Sequence, residues 1–139
     1  MTIIEALYNY FDKCELIDKD SPIGIDLLDE SVKHYSIETV PCKPVLKAYR
    51  DGSAMKQYIF IFASRECYGD NIINMANSRF YEELTEWITQ QSRIRNLPVL
   101  PDKCEAQKLE VNSSGYVMDN DTRSARYQIQ CRLKYYQEV

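Results

Sequence analysis

From Ser124 to Tyr136 the chain alternates with a period of two: Ala125, Tyr127, Ile129, Cys131, Leu133 and Tyr135 fall on one side, Arg126, Gln128, Gln130, Arg132 and Lys134 on the other. Successive side chains of a strand point to opposite faces, so this run is a long strand with one face buried. The chain is thereby committed to a sheet with an apolar side. The other side of the strand, rich in amides and cations, suits solvent or a hydrated protein partner.

A hairpin is written earlier, as Val45 to Tyr49, then Arg50-Asp51-Gly52-Ser53, then Ala54 to Ser64. Asp-Gly between two strand-like runs supplies the positive φ that a tight turn needs. Tyr58 to Ala63 is apolar at every position, which implies cover on both faces and a place at the centre of the sheet. Alternation also predicts short strands over Ile23 to Leu27 and His34 to Val40. Pro41 and Pro44 place this part at an edge or end it in an irregular crossing. Further strands are expected over Ala106 to Asn112 and Gly115 to Met118, with a polar turn at Asp119-Asn120-Asp121-Thr122.

Two segments carry helical spacing. In Thr2 to Cys14 the residues Ile3, Ile4, Leu7, Tyr8, Tyr10 and Phe11 form one stripe, and Thr2 with Glu5 is a capping-box pair. In Ile72 to Ile94 the stripe is Ile73, Ala76, Phe80, Leu84, Trp87 and Ile88, with Asn77-Ser78 a point of interruption. The fold class is therefore α+β: a mixed or antiparallel sheet of about four to six strands with two main helices packed on one face.

One domain over residues 1–139 is expected, since 139 residues is the ordinary size of a single core. No apolar run approaches the length that crosses a bilayer, so no membrane is implied. The start of the chain lacks the basic residues of a secretory signal, which predicts synthesis in a cytoplasm. Five cysteines, widely spaced, and a single histidine offer neither a disulfide framework nor metal-ligand spacing, and no cofactor or metal is expected. The net charge of −4 runs against binding of free nucleic acid.

Chemistry is hard to find in the chain. His34 is the only histidine and has no evident nucleophile to serve; Cys67, at the end of the central strand, has no evident activating base. Glu82, Glu83 and Glu86 read as the solvated side of a helix. Asp119, Asn120 and Asp121 lack the glycine and distal glutamate of a calcium loop. Neither a dinucleotide fingerprint nor a phosphate loop occurs. A non-enzymatic role is expected, the rival reading being a small ligand-binding or enzymatic domain that uses Cys67 or His34. Eleven tyrosines point instead to contact surfaces, because a tyrosine gives large area and a polar end at low entropic cost. Tyr58, Tyr127 and Tyr135 are assigned to core and strand faces. Tyr49, Tyr68, Tyr81, Tyr116 and Tyr136, with Asp51 at the hairpin tip, are the expected interface residues.

Several short motifs carry a resemblance: Tyr35-Ser36-Ile37-Glu38, Asp51-Gly52-Ser53, Gln57-Tyr58, Phe62-Ala63-Ser64-Arg65-Glu66, Tyr68-Gly69, Phe80-Tyr81-Glu82, Glu86-Trp87-Ile88, Ser114-Gly115-Tyr116 and Ala125-Arg126-Tyr127-Gln128-Ile129-Gln130-Cys131. They resemble small proteins encoded among the tail genes of phages and prophages of Gram-positive bacteria, a family similar to tail terminators. The resemblance implies an α+β subunit of a homo-oligomeric ring, typically a hexamer. Such a ring caps the head-proximal end of the tail tube, ends tube polymerisation and offers a surface to head or neck proteins. The implied partners are copies of the chain, the tail tube protein, and a head or neck connector or, in a contractile particle, the sheath protein. The implied place is the virion tail or a tail-like particle, assembled in the host cytoplasm. A neck or connector component of the same particle is the alternative.

Overall fold

The structure, a computed structural model, describes residues 1–26, 28, 34–67, 69, 71–120 and 124–139, for 114–120 the backbone alone. In chain order the elements are α1 (Ile3–Asp12), β1 (Ile23–Ile25), β2 (His34–Val40), β3 (Val45–Ala48), β4 (Ala54–Cys67), α2 (Asn71–Arg93), β5 (Cys104–Asn120) and β6 (Ser124–Gln137). The six strands form one mixed sheet in the order β1-β2-β4-β6-β5, with β3 also paired to β4. Only β1 and β2 run parallel; the other described pairings are antiparallel. Both helices lie on one face, as the apolar stripes require.

Local signals account for most of this. The Thr2 hydroxyl accepts the Glu5 backbone N–H at 3.2 Å and caps α1, satisfying one of the donors a helix start leaves open. The β3–β4 hairpin is closed by Tyr49 N–H to Ser53 O and Gly52 N–H to Tyr49 O, at 2.9 and 3.1 Å. Gly52 takes φ +93°, a conformation glycine reaches without a Cβ penalty. The two prolines fall in a break between collinear strands: β2 ends opposite Ile59 and β3 resumes opposite Lys56, both on the same side of β4. The missing ladder bonds are partly replaced by Gln57, whose backbone N–H meets Pro44 O and whose amide meets Lys43 O, each at 2.8 Å.

Position β4 is central, as the apolar run predicted. It pairs with β6 over all fourteen residues on one side and with β2 and β3 on the other. The core lies between this sheet and the helices. Phe60, Phe62, Ile129, Cys131 and Leu133 from the strands meet Leu7 and Phe11 of α1 and Leu84 and Ile88 of α2, all fully buried. Each such side chain contributes roughly 1.5–3 kcal/mol by leaving water.

Some boundaries differ from expectation. Helix α2 runs through Asn77-Ser78 without a break, because the Asn77 amide turns outward and donates to Cys67 O at 2.8 Å instead of competing for helix carbonyls. In its first turns Ile73 and Ala76 are exposed and belong to no buried stripe. Strand β5 is one strand with four register shifts where two short strands and a turn beginning at Asp119 were expected. The bulges let a single edge strand bend without ending. Leu27, Asp121 and Thr122 lie outside the described residues.

Candidate assembly surface

Pairing register fixes what the helix-free face of the sheet carries. Opposite partners share a face, so Ile61 of β4 stands with Glu38 of β2 and Gln130 of β6, and Ile59 with Val40 and Arg132. One step along, Ala63 stands with Ser36 and Gln128, and Arg65 with His34 and Arg126. Among the described residues no helix covers this face. At its centre are the half-buried Ile59 and Ile61, screened from water by the long polar residues around them.

Two ion pairs organise the surroundings. Arg126 grips Glu38 with both terminal nitrogens, at 3.0 and 2.7 Å, and donates from Nε to Gln128 Oε1 at 2.9 Å. The pair spans β4 at its smallest residue on this face, Ala63, and Ala63 and Ser36 are completely buried beneath it. This bidentate, half-buried geometry is the strong form of a salt bridge. Across the β5–β6 pairing, Arg132 holds Glu110 through Nε at 2.7 Å and through a terminal nitrogen, while Lys108 approaches the same carboxylate at 3.2 Å. Burial pushes the Glu110 carboxyl up, but the hydrogen bonds and charges of Arg132 and Lys108 outweigh it and hold the pKa below the usual value.

Arg65 is different. It sits between His34 and Arg126 in register, with Asp119 continuing the row on β5, and its Nε is buried with no hydrogen-bond partner. Like charges directly opposite one another in a sheet are unfavourable.

The expected interface residues divide. Tyr49 is exposed at the hairpin end, 6.4 Å from the Tyr136 ring, with Lys47 Nζ 5.4 Å from its centroid. These residues, with Met55 opposite Tyr136, extend the helix-free face toward the turn. Asp51 caps that turn by accepting the Ser53 backbone N–H at 2.9 Å, and the Ser53 hydroxyl and amide hold its carboxyl below the usual pKa. Tyr81 is a correction: it is buried, not a contact residue. Its hydroxyl donates to Tyr127 O at 3.1 Å and meets the Ser64 hydroxyl at 2.6 Å, and its ring stacks on Tyr127 at 5.9 Å. Burial, the largest effect, raises its pKa well above the ordinary value. Tyr116 is described by its backbone, opposite Gln128; Tyr68 lies outside the described residues. Tyr127 and Tyr135 are buried and Tyr58 is half-buried, as assigned.

The register also brings His34 and Cys67 to the same face at diagonal positions, since His34 is opposite Arg65. Diagonal neighbours lie about 7–8 Å apart at Cα. The two make no hydrogen bond with each other, and no third group among the described residues orients the histidine as a catalytic dyad requires. A cleft of about 450 Å³ between α1 and residues 96–99 is lined by Tyr10, Lys13, Trp87 and Leu97. It contains no carboxylate, histidine or cysteine. Among the described residues no cluster of three or more His, Cys, Asp or Glu could hold a metal ion, and no helix is long and apolar enough to cross a membrane. No family model and no curated protein matches the chain.

Proposed function

We propose that this chain is a structural subunit of a tailed viral particle or a related tail-like particle, forming a ring that caps the head-proximal end of the tail tube. The observation that carries the reading is the helix-free sheet face: half-buried isoleucines under ion-paired arginines, bounded by Tyr49 and Tyr136. A mixed surface of this kind suits protein contact, with aromatic residues and arginine around an apolar centre. The terminator assignment comes from the motif resemblance between residues 35 and 131; the geometry supports the broader idea of assembly. Closed rings also stop growth, as a capping subunit must.

Native mass measurement and electron microscopy of the purified protein, with and without tube subunits, test the reading. Rings seated on tube ends, and overlong tails when the gene is deleted, are expected. A species that stays monomeric at high concentration and ignores polymerised tube overturns it. The shared face of His34 and Cys67 favours one rival, a small catalytic or ligand-binding domain. Loss of biological function in His34→Ala or Cys67→Ala with folding and assembly intact would establish that rival.

A further inference from the structure

Resting on the assembly reading above, we propose that copies of this chain join head to tail: the helix-free sheet face around Arg65 seats against the outer side of α2, around Glu82, Glu83 and Glu86, of the next copy. Three observations lead there. Among the described side chains, the sheet face holds cations that no carboxylate of the chain pairs. Arg126 and Arg132 are paired within the chain, whereas Arg65 and Lys134 have no ionic partner among the described residues, and Arg65 stands between His34 and Arg126.

The outer side of α2 is the complement. Glu82, Glu83 and Glu86 are exposed and make no ion pair among the described residues, with Arg79 the one cation beside them. Seven to fourteen residues before these acids on the same helix, Ile72 and Met75 are 75% and 59% exposed. The spacings also agree. A helix rises 1.5 Å per residue, so the acids stand about 10–21 Å from these apolar residues. A strand rises about 3.3 Å per residue, so Arg65 stands about 13–20 Å from Ile61 and Ile59. Acid therefore meets base while apolar meets apolar.

The two patches differ and sit on opposite sides of the sheet, so the contact is heterologous, the kind that closes into a ring when the rotation per subunit allows.

Charge exchange in the full chain tests this, read by native mass and sedimentation. Arg65→Glu should weaken self-association at least tenfold while leaving urea stability equal or higher, because it replaces a cation wedged between His34 and Arg126. Glu82→Lys with Glu86→Lys, at exposed positions that do not touch the core, should weaken it similarly. Mixing the two variants should restore assembly, since each then presents the patch the other lacks. Association should also fall as salt rises past physiological strength. Wild-type-like assembly by either variant, or a mixture that stays dissociated, overturns the head-to-tail contact while leaving the ring intact. A wild-type chain that never self-associates removes the ring and the contact together.

Discussion

Phe62 and Ile61 are adjacent in β4 and live in different surroundings. Phe62 is fully buried against Phe11 and Tyr35, with ring centroids at 5.2 and 5.6 Å. Ile61, on the other face, is half-buried among Glu38, Gln130 and their neighbours. Tertiary packing makes one face a core, and cross-strand polar pairs make the other a surface still rich in apolar atoms. The run Tyr58–Ala63 is apolar throughout although helices cover only one side. What an all-apolar strand demands on its second side can be met by arginine and glutamate chains inside the molecule and, in our reading, by another copy outside it.

The comparison is broken most directly at that pair. Phe62→Ala should cost about 3–5 kcal/mol in urea unfolding, the penalty for a cavity among rings that cannot collapse. Ile61→Thr keeps the β-branch and should cost about 1 kcal/mol or less, its main effect appearing in self-association. Equal losses would mean that both faces are core. The next largest effect is expected at Tyr81→Phe. Removing the hydroxyl takes from the buried Ser64 hydroxyl its partner and from Tyr127 O one donor, at about 1–3 kcal/mol by the same measurement; no change would deny that the network is sealed from water.

Glu110→Gln sharpens the description of the other face. Its carboxyl is held below the ordinary value by Arg132 and Lys108, so its stabilisation is present above the unfolded-state pKa of about 4.3 and is lost as pH falls through the lower folded value. The variant should be about 0.2–1 kcal/mol less stable at neutral pH, as expected for a partly exposed pair. That gap should close in acid, as read by unfolding across pH. A gap that persists unchanged at low pH would show the pair to be held by packing and not by charge.

The alternation of β6, the capped start of α1 and the Asp-Gly hairpin were all legible in the sequence, because each signal is local: a period, a cap, a turn residue. Tyr81 was misplaced because its hydroxyl partners come from β4 and β6, and nothing near it in sequence shows that a tyrosine there is satisfied inside. Ile73 and Ala76 keep the helical period and are nevertheless exposed; periodicity describes the helix and says nothing about what lies beneath it. The polar side of β6 was read as a surface, but Glu38, Arg65 and Glu110 join it only through register. The parallel pairing of β1 with β2 and the collinear alignment of β2 and β3 are invisible for the same reason.

Although β6 is last of the six strands along the chain, it lies between β4 and β5. During synthesis the middle of the molecule is thus completed only when Ser124–Gln137 arrives. Before then β4 has an open edge and β5 lacks its strand neighbour, since among the described residues β5 pairs with β6 alone. Every β4–β6 contact encloses the whole of α2 and β5, a long loop whose closure must precede its reward. A nascent chain halted before Ser124 should therefore remain protease-sensitive and chaperone-bound, and subunits should become competent to meet one another only after the last strand slides into place.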